Sequence, residues 1–146
     1  MATKISEKTK QFVKERAKNC CEYCACLFDF ANQFFSVEHI IPKSKGGINS
    51  RSNLAYACQC CNGHKYNKTK GLDPVNNKMV ALYNPRQDKW QEHFNWSEDF
   101  LFVEGISPAG RATVVTLNLN RNSLVNLRTV LFTFGEHPPK HFLKNQ

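Results

Sequence analysis

Two Cys-x2-Cys pairs constrain this chain more than any other feature. Cys21-Glu22-Tyr23-Cys24 and Cys58-Gln59-Cys60-Cys61 are separated by the stretch 25–57, long enough to loop back and set four thiolates on one tetrahedral Zn²⁺. In each turn two intervening residues let both sulfurs face one point while backbone N–H groups aim at the thiolate charge. A redox Cys-x-x-Cys is the rival reading of either pair alone, but neither pair sits in the βαβ context that such chemistry uses. The chain has seven cysteines, an odd number that fits a secreted disulfide framework poorly. Cys20, Cys26 and Cys60 are left over and read as reduced, partly buried thiols, with Cys20 or Cys26 as an alternative zinc ligand.

Length and charge narrow the class. The 146 residues suffice for one domain, or a compact domain with an elaborated tail. A net charge of +8 calls for a polyanionic partner. No apolar run reaches the ~18–20 residues a bilayer span needs, and the start lacks the apolar stretch of a signal peptide, so the expectation is a soluble, cytoplasmic protein without a membrane partner.

Residue pattern gives the elements. Ser6 to Lys18 reads as an amphipathic helix with Phe12, Val13 and Ala17 toward the core. Phe34 to Ile41 is rich in β-branched and aromatic residues and stops at Pro42, which predicts a strand entering a loop at Lys43 to Gly47. Ser52 to Ala57 leads into the second knuckle, and Asn62 to Lys70 reads as a short helix starting on it. Beyond residue 72, Asp99–Gly105 and Arg111–Leu119 read as two strands joined around Ser107-Pro108-Ala109-Gly110, and Asn120 as the cap of a final helix through Leu131. The expected organisation is a core over residues 1–72 and an extension over 73–146, hairpin plus helix, packed on that core.

The chemistry-bearing residues lie between the knuckles. Glu38-His39 ends the expected strand, and Asn53, Asn62 and His64 return within reach if zinc draws residue 61 back beside residue 24. Phosphodiester hydrolysis needs a base to deprotonate water and a cation to neutralise charge on phosphate and leaving oxygen. Imidazole titrates near neutrality, which suits His39 to the base, and the oxygen donors of Glu38 and Asn62 suit Mg²⁺ or Mn²⁺. Lys43, Lys45, Lys65, Lys68 and Lys70 flank the site as candidate phosphate contacts. Trp90, Phe94, Trp96, Phe100 and Phe102 are either core or base-stacking residues, with core favoured.

The order Cys21-Glu-Tyr-Cys24, then Val37-Glu-His-Ile-Ile-Pro-Lys-Ser-Lys-Gly-Gly47, then Asn53 to Cys58 and Cys61-Asn-Gly-His-Lys65 resembles the HNH endonuclease family, over roughly residues 16 to 70. The resemblance implies an α+β fold with a ββα-metal (His-Me finger) core and a four-cysteine zinc site at Cys21, Cys24, Cys58 and Cys61. It implies His39 as general base, Asn53 as the loop-fixing residue that orients it, and Glu38 and Asn62 as ligands of a catalytic Mg²⁺ or Mn²⁺, with His64 as a further candidate. It also implies cleavage to 5′-phosphate and 3′-hydroxyl ends. Glu38 stands where the family most often has aspartate and Asn62 where others carry histidine; the longer carboxylate and the amide oxygen bear on metal preference.

The function expected from these readings is metal-dependent endonuclease action on nucleic acid, DNA in first place, by a monomer or homodimer without a small-molecule cofactor. The alternative is a zinc-stapled nucleic-acid-binding module without catalysis, which shares the charge and the cysteines but does not need Glu38, His39, Asn53 and Asn62 together. Phosphate contacts carry no base information, so DNA and RNA, and sequence preference, are not separable at this level.

Overall fold

The computed structural model describes residues 4–144, so the outermost residues of the two expected segments, 1–3 and 145–146, lie outside the described residues. It is a mixed α+β chain of small two-stranded antiparallel sheets and short helices. Two compact units are distinguished: residues 1–69 with 84–86, and residues 70–83 with 87–146. No helix among the described residues is long and apolar enough to cross a membrane.

The first unit begins with helix α1 (Glu7–Arg16). Ser6 caps it by accepting a hydrogen bond from the Thr9 N–H at 3.1 Å, and Glu7 in the first turn with Lys14 and Arg16 in the last complement the helix dipole. Val13 and Ala17 are buried, as the periodicity predicts. Phe12 is not: it is 37% exposed, with the Arg51 guanidinium 3.9 Å from its ring centroid. A residue adjacent to the buried stripe lies about 100° around the helix from it, and the cations make its exposed position tolerable.

Strand β1 (Phe35–His39) pairs antiparallel with β2 (Leu54–Cys58), with His39 opposite Leu54 and Phe35 opposite Cys58. Phe35 and Val37 pack onto a cluster of Val13, Ala17, Leu54 and Tyr56, which fixes one face of β1 toward α1. Period-two alternation puts His39 on that face and Glu38 on the opposite one. Helix α2 (Gln59–Lys65) follows β2 directly, starting on the second knuckle: the Cys58 sulfur accepts from the Cys61 N–H at 3.5 Å. The expected helix therefore starts three residues earlier and ends five earlier. Every residue of β2 is buried, because both of its faces are covered.

The second unit holds the hairpin of β3 (Lys70–Leu72) with β4 (Met79–Ala81), the short helix α3 (Trp90–His93), the pair β5 (Phe94–Trp96) with β6 (Val103–Gly105), and helices α4 (Pro108–Thr116) and α5 (Asn122–Thr133). Two expectations are corrected here. Residues 111–119 do not form a strand: the Ser107 side chain caps α4 by accepting from the Gly110 N–H, and Pro108 occupies the first turn. These start signals outweigh the β-branched run Thr113 to Thr116. The partner of β6 is instead β5. Asn120 does not cap α5 either, since its side chain bonds Val103 N–H and C=O at 2.8 and 2.9 Å. Trp90 and Phe94 are core residues, with Trp90 5.1 Å from Phe94, 5.3 Å from Trp96 and 5.2 Å from Phe142 between ring centroids. Phe102 remains exposed.

Candidate metal centre and histidine site

The thiolate cluster forms where two turns meet. Cys21, Cys24, Cys58 and Cys61 are all buried, and their sulfurs lie within 4.8 Å of one another. Tetrahedral coordination at a Zn–S distance of about 2.3 Å requires an S···S edge of about 3.8 Å. The Cys24 and Cys58 sulfurs are 3.8 Å apart. The four-sulfur donor set and this spacing fit a structural zinc ion. Hydrogen bonds from Cys21, Cys26, Cys58 and Cys61 hold the Cys24 thiol well below its usual range, while burial pushes Cys21 up. Of the remaining cysteines, Cys20 and Cys26 are buried and Cys60 is exposed. Burial pushes the Cys20 thiol up to about 12, so it stays protonated at neutral pH.

The knuckle also grips the sheet. Tyr23, between the first two cysteines and 1% exposed, donates its hydroxyl to Glu38 Oε1. Glu38 Oε2 lies 3.3 Å from Lys65 Nζ of α2, and that ammonium also donates to the carbonyls of Ile40 at 2.9 Å and His39 at 3.5 Å. Burial raises the Glu38 pKa, a cost only partly offset by Lys65 and by the Tyr23 hydroxyl. Lys65, read from sequence as a phosphate contact, is therefore turned inward: it is 2% exposed and its donors are spent on Glu38 and on backbone.

His39 is half-buried at the end of β1, and its Nε2 lies 2.6 Å from Asn49 Oδ1. The loop between them is tied down by Asn53. That amide accepts from the Ile41 N–H at 2.9 Å and donates to the Ile41 and Ile48 carbonyls, both at 3.0 Å. Gly47 passes so close that an added Cβ would fall 1.7 Å from the Ile41 carbonyl oxygen and 2.9 Å from Asn53 Nδ2, so only glycine fits. Asn62 is half-buried on α2, one turn before Lys65 and on the same helical face. His64 is exposed, as are Lys43, Lys45 and Lys68, the last donating to the His64 carbonyl at 3.2 Å.

The oxygen donors on the α2 side of β1 fit a hard divalent cation in chemistry: a carboxylate from Glu38 and an amide from Asn62. The Lys65 ammonium already rests among three oxygens there, so the locality favours positive charge, and any cation would share Glu38 with Lys65 and Tyr23.

Three contributors escaped the sequence reading. Tyr23 is one of the two residues between the first knuckle's cysteines, and Asn49 lies two residues after Gly47, positions without a chemical signature of their own. Arg86, in a turn far along the chain, donates to the Leu54 carbonyl at 3.0 Å and pairs with Glu22. The run Tyr83-Asn84-Pro85-Arg86 is a turn pattern, which carries no sign of where the guanidinium goes.

Among known families, residues 21–68 match the family model described as HNH endonuclease. No curated protein and no solved structure matches the chain.

Proposed function

Starting from an HNH endonuclease domain at residues 21–68, we propose that this chain hydrolyses phosphodiester bonds in DNA with His39 as the general base. The observation that carries the reading is the His39–Asn49 contact at 2.6 Å, on a loop that Asn53 clamps through three backbone hydrogen bonds. In the neutral imidazole, donation of Nε2–H to an amide oxygen selects the tautomer whose Nδ1 carries the lone pair that can take a proton from water. Asn53 acts as a positioning residue by fixing the backbone that carries both partners. Tyr23 and Lys65 hold Glu38 and the His39 carbonyl, so the strand end cannot drift from α2.

Glu38 and Asn62 would hold Mg²⁺ or Mn²⁺, and His64 is a further candidate ligand. When bound, such an ion supplies charge neutralisation at the phosphate and at the departing 3′ oxygen. Zinc at Cys21, Cys24, Cys58 and Cys61 is structural in this proposal, and Lys43, Lys45 and Lys68 are surface phosphate contacts.

A second reading, a zinc-stapled DNA-binding module without hydrolysis, draws on one observation: both Glu38 oxygens are already engaged by Tyr23 and Lys65. Nicking of supercoiled plasmid separates the two. The nuclease reading expects open-circular product with Mg²⁺ or Mn²⁺ and none with EDTA; plasmid that is retarded on a gel but stays intact under every metal supports the binding module.

A further inference from the structure

Three arginines from distant parts of the chain gather around the backbone that leads into β2. Arg16 Nη2 and Arg86 Nη1 both donate to the Leu54 carbonyl, at 2.8 and 3.0 Å, and Arg16 Nη1 donates to the Arg51 carbonyl at 3.0 Å. Arg16 and Arg51 also share the Phe12 ring, with guanidinium carbons 5.2 and 3.9 Å from its centroid. One carboxylate, Glu22, answers the three positive charges, and it is committed to Arg86 and to the Tyr56 N–H.

Like charges at this density repel unless an anion joins them. Arg16 has its pKa lowered by burial and then by the nearby Arg86 and Arg51 charges, and its buried Nε has no hydrogen-bond partner among the described residues. The Arg51 guanidinium is exposed and makes no hydrogen bond or ion pair among the described residues. A guanidinium stacked on an aromatic face keeps its N–H edge open for a bidentate oxyanion, and phosphate matches that fork.

The cluster also has a position. Leu54 is the cross-strand partner of His39, and Arg51 is two residues from Asn49, whose amide touches His39. We propose that Arg51, backed by Arg16, Arg86 and the Phe12 platform, is a DNA phosphate clamp that grips the strand beside the bond presented to His39. The proposal deepens the nuclease reading and rests on it for the identity of the polymer. It also accounts for the Asn84–Arg86 segment, in which Arg86 neutralises Glu22 and so leaves the charge of Arg51 for the ligand.

The test is DNA binding in EDTA, where no cleavage is needed. Anisotropy of a labelled 20-base-pair duplex is measured over a salt series for the zinc-loaded wild type, Arg51→Ala, Arg51→Glu and Phe12→Ala. Arg51→Ala should weaken binding about tenfold near 0.1 M salt and reduce the log–log salt slope by about 0.9, the value for one phosphate contact. Arg51→Glu should weaken it further. Phe12→Ala should weaken it although no charge is removed, because the platform is lost. Zinc content and circular dichroism identify any variant that has unfolded, and Arg51→Lys then reads the same slope with the charge retained, which should match wild type. Unchanged affinity and slope in folded Arg51→Ala and Arg51→Glu would overturn the clamp, as would failure of the wild type to bind the duplex. A thermal shift with inorganic phosphate that Arg51→Ala abolishes, together with duplex affinity that does not depend on Arg51, would overturn the DNA occupant in favour of a small-anion site. Wild-type binding that depends on Arg51, with no nicking under any metal, leaves the clamp standing and removes the nuclease reading.

Discussion

Lys65 Nζ of α2 lies 3.3 Å from Glu38 Oε2 of β1, and both side chains are buried. The pair joins the strand that carries His39 to the helix that leaves the second knuckle, and Tyr23 extends it into the first knuckle. Removing one member leaves a buried charge without its partner. Lys65→Met should therefore destabilise the protein by about 3 kcal/mol in urea unfolding. The double variant with Glu38→Gln should regain part of that loss, because the uncompensated carboxylate is then gone.

Asn53 makes a different kind of contribution. Its amide donates to the Ile41 and Ile48 carbonyls and accepts from the Ile41 N–H, so aspartate, which lacks the donors, cannot substitute. Asn53→Asp and Asn53→Ala should each cost about 2 kcal/mol by urea unfolding. Both should slow plasmid nicking while bound zinc, measured by elemental analysis, stays at the wild-type level.

How much of this was legible in the sequence depends on the range of the interaction. The knuckles, the β1–β2 strands and the first amphipathic helix are local patterns, and the structure contains each of them, the helix as Glu7–Arg16 within the expected 6–18. The segment 111–119 carries a β-branched run that favours a strand, while the signals that start its helix, Ser107 and Pro108, sit just outside it. Contacts such as Tyr23 with Glu38, or Arg86 with Glu22, join residues whose separation no periodicity encodes. Lys65 illustrates the same limit: a lysine in a basic stretch reads as solvated, and only packing against β1 reveals that it is buried. For the histidine site, residue types were legible but orientation was not, since Asn49 contacts the ring while Asn53 holds the loop.

Zinc should be inseparable from the fold of the first unit. Removing the ion takes away the bond that joins the two knuckle turns around four buried cysteines, so chelation at elevated temperature should unfold residues 4–69, seen as loss of α1 and α2 helicity. Cys58→Ser should give material with less than one zinc per chain and a non-cooperative melt.

Acid sensitivity should have a contribution from Asp73 in the second unit. Its carboxylate accepts from Arg111 Nε and Nη2 at 2.9 and 2.7 Å, and these bonds hold its pKa below the ordinary 3.8. A carboxylate with a lowered folded-state pKa contributes fully above its unfolded value and loses that contribution as pH falls below about 3.8 toward the folded one. Asp73→Asn should be less stable than wild type at neutral pH, and the gap should narrow as the pH is taken from 5 to about 2. Thermal melts across that range give the comparison.

Whether the His39 imidazole is the base is decided by the single-turnover rate of plasmid nicking by His39→Ala, measured with Mg²⁺ and Mn²⁺ beside its zinc content and its affinity for DNA in EDTA. The rate should fall about 10²- to 10⁴-fold, as expected for loss of a general base, with zinc and affinity unchanged. Nicking at the wild-type rate by folded, zinc-loaded His39→Ala would contradict the assignment.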